Sequence, residues 1–261
     1  VHERDRSAID ELRADGVTVA IATGRSPAAT LHVARHLRLE GPCVCTDGAM
    51  IVDAQSGRLH HHRPLGGASS AAVARAMAPF PNISATVLIG ETAVLDEASG
   101  MLDRVARAWS PNVETTGRLL DHPCWRSEEG ITAGAIVGID ADIAAIADAL
   151  AEQPLQITRV EVMRANGVSS LIVHGSGVSK GKGLAWLAAH YGVSMAETMA
   201  VGDWHNDIPM LEAAAHGFAM AHAPEPVKQA ADHVLEATRE GGAIAEIAAR
   251  RLASFRRDSQ R

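Results

Sequence analysis

At 261 residues the chain has room for one large or two ordinary domains and can bury a core without disulfide or metal staples. With 47% apolar and 21% charged residues it has an ordinary globular composition, and a formal net charge of −7 argues against the basic surface that non-specific nucleic-acid binding needs. The 3 cysteines are too few for a disulfide framework and no apolar run is long enough to span a bilayer, so the expectation is a cytoplasmic protein without nucleic-acid or membrane partners.

The first 53 residues alternate in an α/β manner. Residues 4–15 place Ala8, Ile9 and Leu12 on one helical face, and Gly16 follows as a C-terminal cap. Val17-Thr-Val-Ala-Ile-Ala22 is a near-continuous apolar run, the pattern of a parallel strand covered on both faces. Ser26 and Pro27 open a helix to about Leu37, and residues 42–46 form the next strand, with Cys43 and Cys45 on one face as small buried residues. Residues 49–53 and 58 onward read as a hairpin, and His60-His61-His62 as a solvated connector.

The middle reads differently: a helix at 68–78, a short antiparallel pair at 85–90 and 92–95, strand–helix–strand over 131–163, and a strand at 169–173. From 175 the α/β pattern returns. Ser179 caps a helix ending at Gly192, followed by a strand at 198–201, a helix at 209–215 and a strand at 218–220. The stretches 224–231, 234–235 and 242–252 complete the unit. The expected class is α/β: a doubly wound Rossmann-like core made of 1–64 and 175–261, with an α+β cap domain, 65–174, inserted between them.

In a doubly wound sheet, ligands bind at the carboxyl ends of strands. Thr23-Gly24 follows the first apolar run and offers a hydroxyl and an approachable backbone N–H. Lys180 stands at a helix start, and Asp203, Asn206 and Asp207 follow a later strand. Singly, each is commonplace: a turn, an exposed lysine, capping carboxylates. Together, hydroxyl, ammonium and N–H groups suit a phosphate, and clustered carboxylates suit Mg2+. The combination points to metal-assisted phosphoryl transfer.

Ala22-Thr-Gly-Arg25, Ser179-Lys-Gly-Lys182 and Gly202-Asp-Trp-His-Asn-Asp-Ile-Pro-Met-Leu211 resemble the second, third and fourth motifs of the haloacid dehalogenase-like superfamily. The best match is its Cof-type phosphatases, which carry a large α/β cap between the second and third motifs. The resemblance implies that Thr23, Gly24 and Asn206 bind the transferring phosphoryl group and that Lys180 neutralises its charge, with Lys182 the less favoured alternative. It implies Asp203 as the direct Mg2+ ligand, with Asn206 and Asp207 helping through waters or hydrogen bonds. Lys180 and Asp203 are then the catalytic pair present. Asp47-Gly48-Ala49 stands where such proteins commonly have Asn-Gly-Ala, which leaves the role of Asp47 open.

Family members start with an apolar strand ending in Asp-x-Asp-Gly-Thr, whose first Asp is the nucleophile and whose second is the general acid/base. These 261 residues contain no such run. Asp140-Ala-Asp142 lacks Gly-Thr, lies in the insert, and reads as a helix N-cap. A fragment, a misplaced start or a pseudoenzyme are the three explanations. The expected function is a phosphatase of small phosphorylated metabolites such as sugar phosphates, monomeric or a small homo-oligomer, inactive as given. A phosphomutase and a non-catalytic phosphate-binding protein are the alternatives. His122, Trp125, Arg126 and Glu128 are polar candidates in the cap.

Overall fold

In the computed structural model, which describes residues 1–97, 100–127, 130–163 and 166–258, the chain begins with helices α1 (Glu3–Ala14) and α2 (Pro27–His36). Ser26 caps α2 by accepting the Ala29 N–H, and Pro27 stands at the first turn, where its missing N–H costs nothing. Strands β1 (Pro42–Cys45), β2 (Met50–Asp53) and β3 (Leu59–His62) form an antiparallel sheet in that order. Cys43 and Cys45 share its buried face with Met50 and Val52, packed against Ile9 and Ala34. The histidine run is no solvated connector. Asp53 closes the β2–β3 turn by accepting the Ser56 N–H at 2.7 Å, and this brings His60-His61-His62 alongside β2 as part of β3.

The middle of the chain builds one six-stranded sheet. Its elements are α3 (Gly67–Met77), β4 (Ser84–Ile89), β5 (Thr92–Asp96), α4 (Gly100–Trp109), β6 (Asn112–Thr116), β7 (Ile131–Ile139), α5 (Asp140–Leu150), β8 (Leu155–Met163) and β9 (Val168–Gly175), with strand order β6-β5-β4-β7-β9-β8. Alternation along the strands divides two cores. Val87 and Val94 join Val73 of α3 and Ile143 and Ile146 of α5, while Leu88, Ala93 and Leu95 pack with Leu102 and Ala106 of α4. The sequence reading missed α4 and β6, although Leu102, Val105, Ala106 and Trp109 follow helical spacing. Asp140 is not an N-cap. It is the first residue of α5, and its carboxylate instead receives the Ser169 hydroxyl and sits 3.7 Å from Arg159.

The last segment supplies α6 (Lys180–Tyr191), β10 (Met199–Gly202), α7 (Ile208–Ala213), β11 (His216–Ala219), α8 (Glu225–Gln229), β12 (His233–Val234) and α9 (Ala243–Asp258). Strands β10, β11 and β12 are parallel neighbours. Ser179 caps α6 through the Lys182 N–H at 3.2 Å, and Gly192 ends it in the left-handed region. Gly183 lets α6 lie directly on Val44 of β1, where any Cβ would overlap the valine.

Residues 17–22, expected as a strand, carry only a bridge from Ala22 to Val44, flanked by 2.9 Å bonds from the Val44 N–H to the Ile21 carbonyl and from the Thr23 N–H to the Val44 carbonyl. An apolar run becomes a strand only when its backbone finds partners, and here it finds β1 alone. A cavity of about 640 Å³ is lined by Val17, Val19, Leu187, Ala200, Met210 and Ile247, so it separates this segment from β10. The core sheet is therefore in two halves with an apolar slot between them. None of the described helices is long and apolar enough to cross a membrane.

Candidate functional site

The carboxyl ends of residues 17–22 and of β10, with the start of α6, converge at one end of the slot. There the Thr23–Arg25 turn is laced to the loop after β1. The Asp47 N–H donates to the Thr23 carbonyl at 2.9 Å, and the Thr46 N–H to the Arg25 carbonyl at 2.8 Å. Thr23 Oγ1 accepts the Arg25 N–H at 3.2 Å. The loop turns through three consecutive left-handed residues, Thr46 (φ 48°), Asp47 (φ 54°) and Gly48 (φ 102°). Only glycine fits at 48, because a Cβ there would lie 2.6 Å from the Ser179 carbonyl oxygen. This path aims the Asp47 side chain at Gly24. A Cβ on Gly24 would stand 3.2 Å from both Asp47 carboxylate oxygens and 3.4 Å from Asn206 Nδ2.

Lys180 is only 6% exposed, and Asp207 4%. Lys180 Nζ donates to Asp207 Oδ1 at 2.6 Å and lies 3.9 Å from Asp47 Oδ1. Lys182, two residues on, is exposed, so the helix cap turns Lys180 rather than Lys182 into the site. Asp207 Oδ2 accepts the N–H groups of Asp203 and Trp204 at 2.9 and 3.0 Å. Gly202 makes this possible, since any Cβ there would overlap Asp207. Asn206 Nδ2 donates to Asp47 Oδ1 at 2.7 Å.

Asp203 points to more open surroundings, with Oδ2 3.0 Å from His222 Nε2 and 4.0 Å from Arg239 Nε. His222 Nδ1 is buried without a hydrogen-bond partner among the described residues. On the other side, His174 at the end of β9 sets Nε2 3.4 Å from Asp47 Oδ2. Its burial pulls the imidazole pKa below the usual range, outweighing the opposing pull of the Asp47 charge.

The structure thus groups Thr23, Gly24, Lys180, Asn206 and Asp207 around Asp47, with Asp203 beyond the Asp207 turn. Asp47 is the hub that the sequence left without a role, and His174, His222 and Arg239 were not foreseen. The one signal for His174 is its place ending the apolar run Leu171-Ile-Val. The cap candidates serve their own turn. Trp125 is buried, donating Nε1–H to the Leu119 carbonyl at 2.7 Å; His122 accepts the Cys124 N–H and lies 3.7 Å from Glu114; Arg126 is exposed. Glu128 lies outside the described residues.

For Mg2+, the donors present are of the right hard type. Asp203 is the carboxylate whose second oxygen takes none of the hydrogen bonds found here, whereas both oxygens of Asp207 are engaged. Among the described residues no group of three or more His, Cys, Asp or Glu is placed to hold a metal. That is compatible with an ion that keeps waters and leans on one or two protein carboxylates plus a substrate phosphate.

Residues 1–247 match the family model described as haloacid dehalogenase-like hydrolase. A phosphoglycolate phosphatase of Methanosarcina acetivorans is 37% identical over 98 residues, 38% of this chain and 41% of that protein. The 5-amino-6-(5-phospho-D-ribitylamino)uracil phosphatase YitU of Bacillus subtilis is 26% identical over 245 residues, 93% of this chain and 88% of that protein. A solved haloacid dehalogenase-like hydrolase from Bacteroides thetaiotaomicron shares the fold, with a TM-score of 0.76 at 21% identity over 96% of this chain and 92% of its own. In the first curated relatives the matched stretch spans less than half of their length.

Proposed function

The chain belongs to the haloacid dehalogenase-like hydrolases, and from that premise we propose that it is a Cof-type, Mg2+-dependent phosphatase of small phosphorylated metabolites such as sugar phosphates. The observation that carries this reading is the convergence of Thr23-Gly24, Asn206 and the buried Lys180 on one spot at the strand ends. A cytoplasmic setting accords with the composition.

In this reading the Thr23 hydroxyl, the Gly24 N–H and Asn206 hold the phosphoryl oxygens. Lys180 offsets their charge, turned inward by the Ser179 cap and held by Asp207. Asp203, positioned by His222, would hold the metal, and Asp207 fixes the Asp203 backbone. A bound Mg2+ supplies charge neutralisation for the transferring phosphoryl group. Residues 65–174 form the cap that selects the substrate.

The nucleophile comes from a strand that fills the apolar slot, and these 261 residues do not contain it. An Asp carboxylate at the end of that strand attacks phosphorus, the P–O bond to the substrate breaks, and the leaving alcohol takes a proton from the neighbouring acid. Water then displaces the carboxylate and releases inorganic phosphate. Two phosphatases match the chain in part or nearly whole, and their names describe small phosphorylated compounds.

The test is phosphate release from a panel of sugar and small-acid phosphates by the chain extended with an apolar strand ending in Asp-x-Asp-Gly-Thr. Turnover should need Mg2+ and fall at least about 100-fold in Lys180→Ala, the size of effect seen when one preorganised charge-stabilising group is removed. Unchanged turnover in that variant would count against the site. Retention of the phosphoryl group on product, without free phosphate, would identify a mutase instead.

A further inference from the structure

Asp47 has the geometry of a bound anion. Its carboxylate receives Asn206 Nδ2–H at 2.7 Å, lies 3.9 Å from Lys180 Nζ, and rests against Gly24, the position where a phosphoryl group would need room. The backbone is strained to put it there. Thr46 is β-branched yet left-handed at φ 48°, with its hydroxyl buried and without a partner among the described residues, and Asp47 follows at φ 54°. Such outliers persist only where surrounding structure over-determines them, and they concentrate at functional sites.

The charges set a condition on any incoming anion. Asp47 is faced by Lys180 from α6, by His174 from β9 and by Asn206 ahead of α7, with Asp207 behind Lys180. With His174 neutral, the two carboxylates exceed the one ammonium, so a dianion entering the cradle meets net negative charge. One proton on the Asp47–His174 pair removes that excess.

We propose that Asp47 is a specificity-determining residue: it occupies the anion cradle of the resting protein and yields it to a dianion only when the Asp47–His174 pair takes up a proton. This deepens the anion-site reading of Thr23, Gly24 and Lys180 and rests on it. His174 precedes Gly175, the last residue of β9, which packs against the Pro64 carbonyl where the chain crosses between insert and core. The proton therefore sits at the crossing point of the two units.

Sulfate binding to the full 261-residue chain, with chelator present and between pH 5.5 and 8.5, tests this directly, because sulfate keeps both charges throughout. Affinity of the wild type should fall as pH rises, by up to about tenfold per pH unit for one linked proton. Asp47→Asn keeps the shape, and asparagine tolerates the left-handed region. It should bind sulfate at least about tenfold more tightly at pH 8 and lose the pH dependence. His174→Gln should bind weakly across the whole range. A flat wild-type profile, or Asp47→Asn retaining the wild-type affinity and slope, overturns the role of Asp47 while leaving the anion site standing. No sulfate binding by either protein at any pH overturns the anion site itself, and the proposal with it.

Discussion

Lys180 and Asp207 are an ion pair almost without water, and such pairs are costly to break from one side. The two sides are unequal here. Without Lys180, Asp207 still accepts two backbone N–H groups; without Asp207, Lys180 keeps, among the described residues, Asp47 at 3.9 Å. Asp207→Ala should therefore lower unfolding free energy by about 3–5 kcal/mol, and Lys180→Met by less, as read from urea midpoints. The cysteines make a pH statement. Burial pushes Cys45 up to about 12 and Cys124 up to about 11, and raises Cys43 as well. A pKa raised in the fold means the native state holds its proton more tightly than the unfolded chain, whose thiols titrate near about 8.5. That stabilisation is complete below about pH 8.5 and is lost as pH rises from there towards 11 and 12. Stability curves against pH should turn down in that window, and the native thiols should resist an aromatic disulfide reagent at pH 8. At this scale Thr23, Gly24, Lys180, Asn206, Asp203 and Asp207 could be put forward as candidates from sequence, because their motifs are local, and the structure brings them close together. The hub could not, since Asp47 meets His174 and Asn206 only through contacts distant along the chain.

Elements that announce themselves by end signals were the most legible. Ser26-Pro27 and Ser179 with Gly192 mark α2 and α6, and each hydrogen bond those caps require is present. The residue 17–22 run was read as a strand from its apolar pattern, yet among the described residues it bridges β1 alone, and Thr18 and Ala20 stand exposed. A cap supplied from far away was also invisible. Asp5 of α1 accepts the N–H groups of Gly242 and Ile244 at 2.8 Å, closing the start of α9 across nearly the whole chain. Asp5→Ala should cost about 0.5–2 kcal/mol, the usual range for losing a helix cap, and should raise amide exchange first in α9. The glycines of α6 separate two kinds of close approach. At Gly183 an added Cβ meets the Val44 side chain, while at Gly181 it meets the Pro209 carbonyl, which is backbone. Gly181→Ala should destabilise more than Gly183→Ala, the latter by about 1–3 kcal/mol, in parallel thermal melts.

At the scale of the whole molecule the decisive feature is the slot. Two half-sheets present edges across an apolar cavity of about 640 Å³, and the site residues gather at its end. The α/β class was readable because strand and helix periodicities alternate. The split, an apolar cavity between residues 17–22 and β10, needed coordinates. A strand that fills the slot would complete the sheet and bring the nucleophile beside Lys180 and Asp203. The most direct measurement is Mg2+-dependent phosphate release by the 261-residue chain beside the same chain extended by some twenty upstream residues carrying an apolar strand and Asp-x-Asp-Gly-Thr. The account predicts only trace turnover from the shorter protein and turnover higher by many orders of magnitude from the longer one. Comparable rates from both would contradict it.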